Sequence, residues 1–223
     1  MSGRKEGARR SRRGALLVEV VLAAALLALV SGSAVLLTNV MRRSYRTEFT
    51  VNLVTENVDT AMSEMVSRLR EADLDAVFPA AAPGAFSDWI DFERVVLPGF
   101  PAATPESFVL EADPNDPDDG VDNDGDGRID ERFLVWYENR GLVGEKRRIL
   151  SKSVAEDLAG EIPGNLLDDN GNGVADEKGL CFEFQEGRIV VHLTIEKVDA
   201  FGSLVRRTIE RTVALRNTGV GAL

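Results

Sequence analysis

The chain begins with the longest apolar run in its sequence. From Gly14 to Met41 there are 28 residues, and Glu19 is the only charged one among them. A helix needs about 20 apolar residues to cross the hydrocarbon core of a bilayer, so this run predicts a membrane-spanning helix. Beyond it, apolar residues from Val51 to Leu69 recur at spacings of three and four. That period predicts a continuing helix that buries one stripe.

No proline interrupts the chain between Ala15 and Val77. One helix is therefore predicted from about residue 15 to about residue 72, with residues 15–41 in lipid and residues 42–73 as an amphipathic soluble half. The alternative is two helices, separated near Ser31–Ser33 or at Arg42.

After Pro79–Gly84 the pattern changes to short runs rich in β-branched and aromatic residues, which predict strands. The predicted strands are residues 89–97, 107–112, 132–139, 145–153, 179–187, 188–198 and 204–217, with a helical turn at 154–159. The expected fold class is α+β: a long, partly transmembrane N-terminal helix packed on an antiparallel β-sheet, with residues 74–223 as the head domain.

The charge of the chain is concentrated in a few segments. The net charge is -11, which argues against a nucleic-acid-binding body. Residues 113–131 carry nine acids and one arginine, and residues 168–177 carry four acids and no base, so the rest of the chain is close to neutral. Six bases between Arg4 and Arg13 precede the apolar run, which predicts a cytoplasmic N-terminus and an extracytoplasmic head.

Cysteine and histidine limit the possible chemistry. The single Cys181 excludes a disulfide framework, and the single His192 excludes a multi-histidine metal site. His192 lies between Val191 and Leu193 in a predicted strand, and we interpret it as a sheet residue. No nucleophile elbow, phosphate loop or carboxylate pair of a cleft is recognisable, so an enzyme is not expected.

Glu19 needs an explanation, because a carboxylate in hydrocarbon costs about 2.5–3.5 kcal/mol on insertion scales and such residues usually have a partner. An ordinary signal anchor, a signal peptide cleaved near residues 31–34, or a twin-arginine export signal leaves it unexplained. The residues RRGALLVE at 12–19 resemble a type IV prepilin signal: a basic leader, a glycine, then an apolar run with glutamate at its fifth position.

This resemblance implies that residues 1–14 are a leader and that a prepilin peptidase cleaves between Gly14 and Ala15 and methylates the new N-terminus. Ala15 departs from the family's usual phenylalanine. Glu19 would then be the fifth residue of the mature chain and would pair with the terminal amine of a neighbouring subunit.

The order of elements from residue 132 to residue 217 is similar to that of the J-type minor pseudopilins of type II secretion and the W-type minor pilins. The resemblance implies a pilin-like, non-catalytic subunit of a pseudopilus or pilus. It would be a single-pass inner-membrane protein with a periplasmic head. Its partners would be other pilins or pseudopilins through the N-terminal helix, the prepilin peptidase and inner-membrane lipid, with no nucleic acid expected.

The two acidic segments contain an internal repeat, DNDGDGRIDE at 122–131 and DDNGNGVADE at 168–177, 46 residues apart. Both follow the first nine positions of a calcium loop, in which alternate oxygen ligands wrap the ion and glycine makes the sharp turn. The predicted ligands and their acidic neighbours are Asp122, Asp124, Asp126, the Arg128 carbonyl, Asp130 and Glu131, and, in the repeat, Asp168, Asn170, Asn172, the Val174 carbonyl, Asp176 and Glu177.

These loops predict one or two structural Ca²⁺ ions rather than a calcium switch. The bidentate glutamate of a true EF-hand is missing, because Phe133 and Gly179 stand at that position. The alternative is a solvated acidic loop, an interpretation that suits residues 113–119 with their two prolines. Two other classes of function remain open at this point: a signal-anchored or secreted calcium-binding module unrelated to pili, and an adhesin-like or DNA-uptake pilin.

Overall fold

The computed structural model describes residues 6–79, 84–94, 104–117, 119–125, 127–128, 130–162, 164–171 and 175–215, with side chains from Val18 onward. The chain divides into two units, residues 1–48 and residues 49–223.

Helix α1 runs from Glu6 to Leu69 without a break. The single continuous helix predicted from the sequence is confirmed, and the alternative with a break near Ser31–Ser33 or at Arg42 is wrong. The Ser33 hydroxyl donates to the Leu29 carbonyl at 2.8 Å, four residues earlier. The hydroxyl is thus satisfied within the helix, a bond that can bend a helix but here does not break it.

The first unit exposes its apolar side chains. Every residue from Val18 to Arg46 is exposed. Helix α1 is long and apolar enough to cross a membrane, and none of its most apolar stretch is buried in the protein. By length and composition it fits a membrane anchor or a signal sequence, while the orientation stays a prediction.

The described residues of the second unit form eight strands. They are β1 (Phe86–Ser87), β2 (Ile90–Glu93), β3 (Pro105–Ala112), β4 (Arg132–Glu138), β5 (Lys146–Val154), β6 (Leu180–Gln185), β7 (Arg188–Val198) and β8 (Leu204–Ala214). They form one sheet in the order β1-β6-β7-β5-β4-β3-β2, with β8 paired to β7. Every strand pairing is antiparallel, so the predicted α+β class is confirmed.

Two details differ from the sequence prediction, and one part of it is not tested. Strand β1 was not predicted, and at two residues it is too short for a period to show. The predicted helical turn at 154–159 is wrong: Asp157 bridges Lys178, and the Ala155 amide donates to the Thr194 carbonyl. Residues 95–97 and 216–217, assigned to strands from the sequence, lie outside the described residues.

The second half of α1 packs on the sheet through the predicted apolar stripe. The helix contributes Val54, Val58, Ala61, Met62, Met65 and Leu69, all buried. The largest fully buried sheet side chains opposite them include Phe92, Phe108, Phe182 and Phe184. Full burial of each such side chain contributes about 1.5–3 kcal/mol, so this interface carries the core of the second unit. Val51, predicted on the same stripe, is instead exposed.

A buried ion network fixes how the helix lies on the sheet. Glu106 of β3 is fully buried and accepts from Arg68 of α1 at 2.9 Å and from the Trp136 indole at 2.6 Å. Arg94 lies 2.5 Å from the second Glu106 oxygen. The Arg68 guanidinium also stacks 3.9 Å from the centroid of the Trp136 ring. The network favours one register of helix over sheet, because a shift of α1 would separate Arg68 from buried Glu106, and the loss of one partner of a buried ion pair is strongly destabilising.

Candidate metal centres

The structure extends the second acidic segment towards the N-terminus, and we name the segments acidic loop 1, residues 113–131, and acidic loop 2, residues 161–177. Loop 1 leads into β4 and loop 2 leads into β6. Arg132, at the start of β4, is connected through its partner Val154 of β5 to Ile195 of β7. Leu180, at the start of β6, pairs with Leu193, two residues before Ile195 on β7. Both loops therefore leave the sheet at the same end.

If the strands that follow the two loops were neighbours in the sheet, the loops would lie side by side. That condition is not met, because β5 and β7 separate β4 from β6.

The two loops begin with the same side-chain turn. The Asp119 carboxylate accepts the amide of Val121 at 3.0 Å, and the Asn165 side chain accepts the amide of Leu167 at 2.8 Å. A short polar side chain that bonds the backbone two residues on is a turn former in its own right. The members of these pairs are 46 residues apart, so the repeat extends further towards the N-terminus than its identical residues show.

The first predicted ligand has the same role in both loops. Asp122 accepts the amide of Gly125 at 2.6 Å, and Asp168 accepts the amide of Gly171 at 2.6 Å. The second Asp122 oxygen accepts the amide of Gly127 at 3.0 Å. Gly127, with φ 91°, stands at the sixth position, where a calcium loop needs its sharp turn.

Three equivalent pairs have positive φ: Gly120 and Leu166 (80° and 60°), Gly125 and Gly171 (77° and 78°), Asp130 and Asp176 (56° and 54°). Hydrogen bonds repeat as well, since the Asp130 carboxylate accepts the Gly120 amide and the Asp176 carboxylate accepts the Leu166 amide. Non-glycine residues adopt this region at a cost, so its recurrence at equivalent positions indicates one shared loop conformation.

The predicted ligands are only partly brought together in the described part of the chain. Asp126, Asn172 and Val174 lie outside the described residues. Among the described residues, no three histidine, cysteine, aspartate or glutamate side chains meet in an arrangement that could hold a metal ion. The calcium sites therefore stay a prediction, supported by the loop conformation and by the carboxylates around it.

Asp116 was missed by sequence reasoning. Residues 113–119 were interpreted as a solvated segment, yet Asp116 is 1% exposed. Asp113 folds this segment back, because its side chain accepts the Asn115 amide and its carbonyl accepts the Asp116 amide. Hydrogen bonding with the Glu131 side chain and with the Asn123 amide lowers the pKa of Asp116 to about 2. The sequence signal is the turn-forming run DPNDP, which directs the chain back towards the loop.

Glu161 closes loop 2 in a comparable way and was also missed. It is buried, and its two oxygens accept the amides of Asn170 and Asp176, both at 3.1 Å. A carboxylate that accepts backbone amides from both ends of a loop holds those ends together.

Basic side chains balance part of the buried negative charge. Arg128, predicted to contribute only its carbonyl, places its Nε 2.7 Å from Oε1 of buried Glu131. Beside loop 2, Lys178 contacts Asp157 at 3.1 Å and Glu156 at 3.2 Å. Burial alone would lower the pKa of Lys178, but these carboxylates raise it.

Oδ2 of Asp116 and Oδ1 of Asp176 are buried carboxylate oxygens of the loops that make no hydrogen bond within the described structure. A buried charged oxygen without a partner costs free energy, and a hard cation that prefers carboxylate and carbonyl oxygen would satisfy it. The donor set of both loops fits Ca²⁺ in this respect.

Glu19 lies within the exposed apolar stretch of α1. Its neighbours Val18 and Val20 are 68% and 65% exposed, and Glu19 is exposed with them. Gly14 and Ala15 lie in the same helix, one turn or slightly more before Glu19. Glu19 is thus a charged side chain on a helix surface that is otherwise suited to lipid or to other apolar helices.

His192 and Cys181 are sheet residues, as the sequence indicated for His192. They pair across β6 and β7, and His192 also pairs with Glu210 of β8. Burial, the largest cause, raises the pKa of the Cys181 thiol to about 12. The thiol is therefore protonated at neutral pH, which is unsuited to nucleophilic attack.

No family model, no curated protein and no solved structure matches the chain. Its function is therefore inferred from its own residues.

Proposed function

We propose that the protein is a non-catalytic minor subunit of a type II secretion pseudopilus or a type IV pilus. It is cleaved after Gly14 by a prepilin peptidase and is assembled through its N-terminal helix. The observation that carries this proposal is the exposed carboxylate of Glu19 on an otherwise apolar exposed helix, five residues after the Gly14–Ala15 boundary.

Cleavage after Gly14 gives Glu19 a partner. The new terminal amine of Ala15 is positive and lies at the membrane face of the helix. In a bundle of parallel helices, Glu19 of one subunit pairs with the amine of its neighbour, so each charge offsets the burial of the other. An unpaired subunit keeps a carboxylate in hydrocarbon, which favours assembly over the free state.

The head contributes rigidity rather than chemistry in this proposal. Loops 1 and 2 bind structural Ca²⁺ at the end of the sheet from which both emerge. The ions neutralise carboxylates that otherwise repel one another and stiffen the surface available to neighbouring heads. The order of elements in the head favours the J-type or W-type minor subunits, with the head periplasmic and the helix in the inner membrane.

The N-terminus of the mature protein tests the processing step. Coexpression with a prepilin peptidase should yield a chain that starts at N-methyl-Ala15, identified by mass spectrometry of the N-terminal peptide. Gly14→Val should remain uncut in the same cells. The matched variant Glu19→Ala should be cut but should fail to enter filaments, because cleavage and pairing are separate steps.

The other outcomes exclude the proposal. An uncut chain, or one that begins near Val35, indicates a signal-anchored or secreted calcium-binding module instead. Normal assembly of Glu19→Ala would contradict the proposed pairing of Glu19 with the terminal amine. Calcium does not separate these two functions, since both include it. A calcium titration of the full chain tests only the proposed binding of Ca²⁺ by loops 1 and 2. No binding at several millimolar Ca²⁺ would contradict that binding.

A further inference from the structure

Asp116 lies outside the repeated motif but at the point where loop 1 closes. Its Oδ1 accepts the Asn123 amide at 2.7 Å, at the start of the loop. Three residues before Asp116, the Asp113 amide donates to the carbonyl of Glu131, at the end of the loop, at 2.9 Å. The carboxylate therefore lies between the two ends of loop 1.

The second oxygen of Asp116 is in an unusual position. Oδ2 is buried without a hydrogen-bond partner in the described structure, while the Glu131 side chain lies within hydrogen-bonding reach of the Asp116 carboxyl. Two buried carboxyl groups in contact repel each other when both are ionised, unless a proton or a cation lies between them. Asp116 is 1% exposed, so water gives little screening.

Loop 2 offers an internal reference. Glu161 also closes its loop from outside the motif, but both of its oxygens accept backbone amides. Both carboxylate oxygens of Glu161 are thus occupied by the hydrogen bonds that hold the loop together. Asp116 performs the same closure with one oxygen, and its other oxygen is buried without a hydrogen-bond partner within the described residues.

We propose that Asp116 is a direct ligand of the Ca²⁺ ion of loop 1, coordinating through its buried Oδ2. It supplies a carboxylate from outside the nine-position motif, which lacks the terminal bidentate glutamate of an EF-hand. This inference rests on the proposed calcium site. It makes loop 1 the tighter of the two sites, because Glu161, the closing acid of loop 2, has both oxygens bonded to backbone amides.

Calorimetric titration of the full chain in detergent with Ca²⁺ tests the proposal. Wild-type protein should bind with two affinities. Asp116→Asn should weaken the tighter site at least about tenfold, since it removes one charged ligand but keeps an acceptor for the Asn123 amide. Asp122→Asn should weaken the same site, and Asp113→Asn, the same charge change in the same segment, should bind like wild type.

The outcomes separate the two hypotheses. No calcium binding by the wild-type protein overturns the calcium site itself, and the role of Asp116 falls with it. Weakening by Asp122→Asn with wild-type binding by Asp116→Asn overturns only the role of Asp116.

A second measurement does not depend on the folding of any variant. In a structure of the wild-type chain with Ca²⁺ bound, an Asp116 oxygen should lie about 2.3–2.6 Å from the ion of loop 1. An ion held by loop 1 with Asp116 outside its coordination shell would contradict the proposal.

Discussion

Acidic loops 1 and 2 share turns at equivalent described positions but balance their charges differently. Residues 113–131 carry nine acids, whereas residues 161–177 carry five. The closing acid of loop 2, Glu161, bonds amides with both oxygens, while Asp116 leaves its buried Oδ2 without a hydrogen bond within the described residues. The comparison teaches that turn residues and glycines determine the shape of the loop. We expect the density of carboxylates to determine how strongly each loop binds a cation.

The largest expected effect comes from the closing acid of loop 2. Glu161→Gln retains only one acceptor oxygen for two part-buried amides, so the free energy of unfolding should fall by about 2 kcal/mol. Urea denaturation in EDTA measures it, followed by the fluorescence of Trp89 and Trp136, the only tryptophans, both in the head. In the same assay Asp116→Asn should lower stability less, because it keeps an acceptor for the Asn123 amide.

Glu186→Gln is the matched control for Glu161→Gln, since Glu186 is exposed in the turn between β6 and β7. Its effect should stay within about 0.5 kcal/mol. Equal losses for Glu186→Gln and Glu161→Gln would show that Glu161 does not hold loop 2 together.

The next effect concerns charge at the third position of the repeat. Asn170→Asp gives loop 2 the carboxylate that loop 1 has in Asp124, and should tighten the weaker calcium site about tenfold, or about 1.4 kcal/mol. Asp124→Asn should weaken the tighter site by a similar factor. Calorimetric titration measures both.

Asn165→Asp is the control for this exchange, because it adds the same charge to loop 2 at a turn position rather than a predicted ligand position. It should change the affinity by less than about threefold. An equal gain in calcium affinity from Asn165→Asp would mean that only the net charge of loop 2 matters. It would contradict the assignment of Asn170 as a ligand.

Periodicity predicted the helix because α1 buries one face, and the stripe from Val54 to Leu69 has the expected period. The β-branched residues of β7 predicted that strand instead, since it is buried on both faces along most of its length. The calcium motif predicted the turn at Gly127, which has positive φ, while the equivalent Gly173 lies outside the described residues. The binding of calcium and the assembly of the helix stay predictions.

The closing acids could not be predicted from the repeat. Asp116 and Glu161 are 45 residues apart, not 46, so an alignment of the two motifs does not pair them. Their burial depends on the chain folding back, at DPNDP for Asp116 and through the hydrogen bond of the Glu161 amide to Leu158. Contacts of this kind arise from tertiary structure and leave no period in the sequence.

The smallest expected effect tests whether the backbone conformation is shared. Leu166 has φ 60° and is 83% exposed, and its equivalent in loop 1 is Gly120. A leucine in this region is strained by about 1–2 kcal/mol, whereas glycine gains about 0.5–1 kcal/mol of extra freedom in the unfolded chain. Leu166→Gly should therefore stabilise the head by about 0.5 kcal/mol, measured by urea denaturation.

The sign of the change separates strain from packing. A side chain at Gly120 meets nothing within 4 Å, so Gly120→Leu should destabilise by a similar, purely conformational amount. Leu167 is also exposed but does not have positive φ, and Leu167→Gly should destabilise the head because no strain is relieved. If Leu166→Gly and Leu167→Gly both destabilised the protein, Leu166 would not be strained. The equivalence of Gly120 and Leu166, on which the shared conformation partly rests, would then fail.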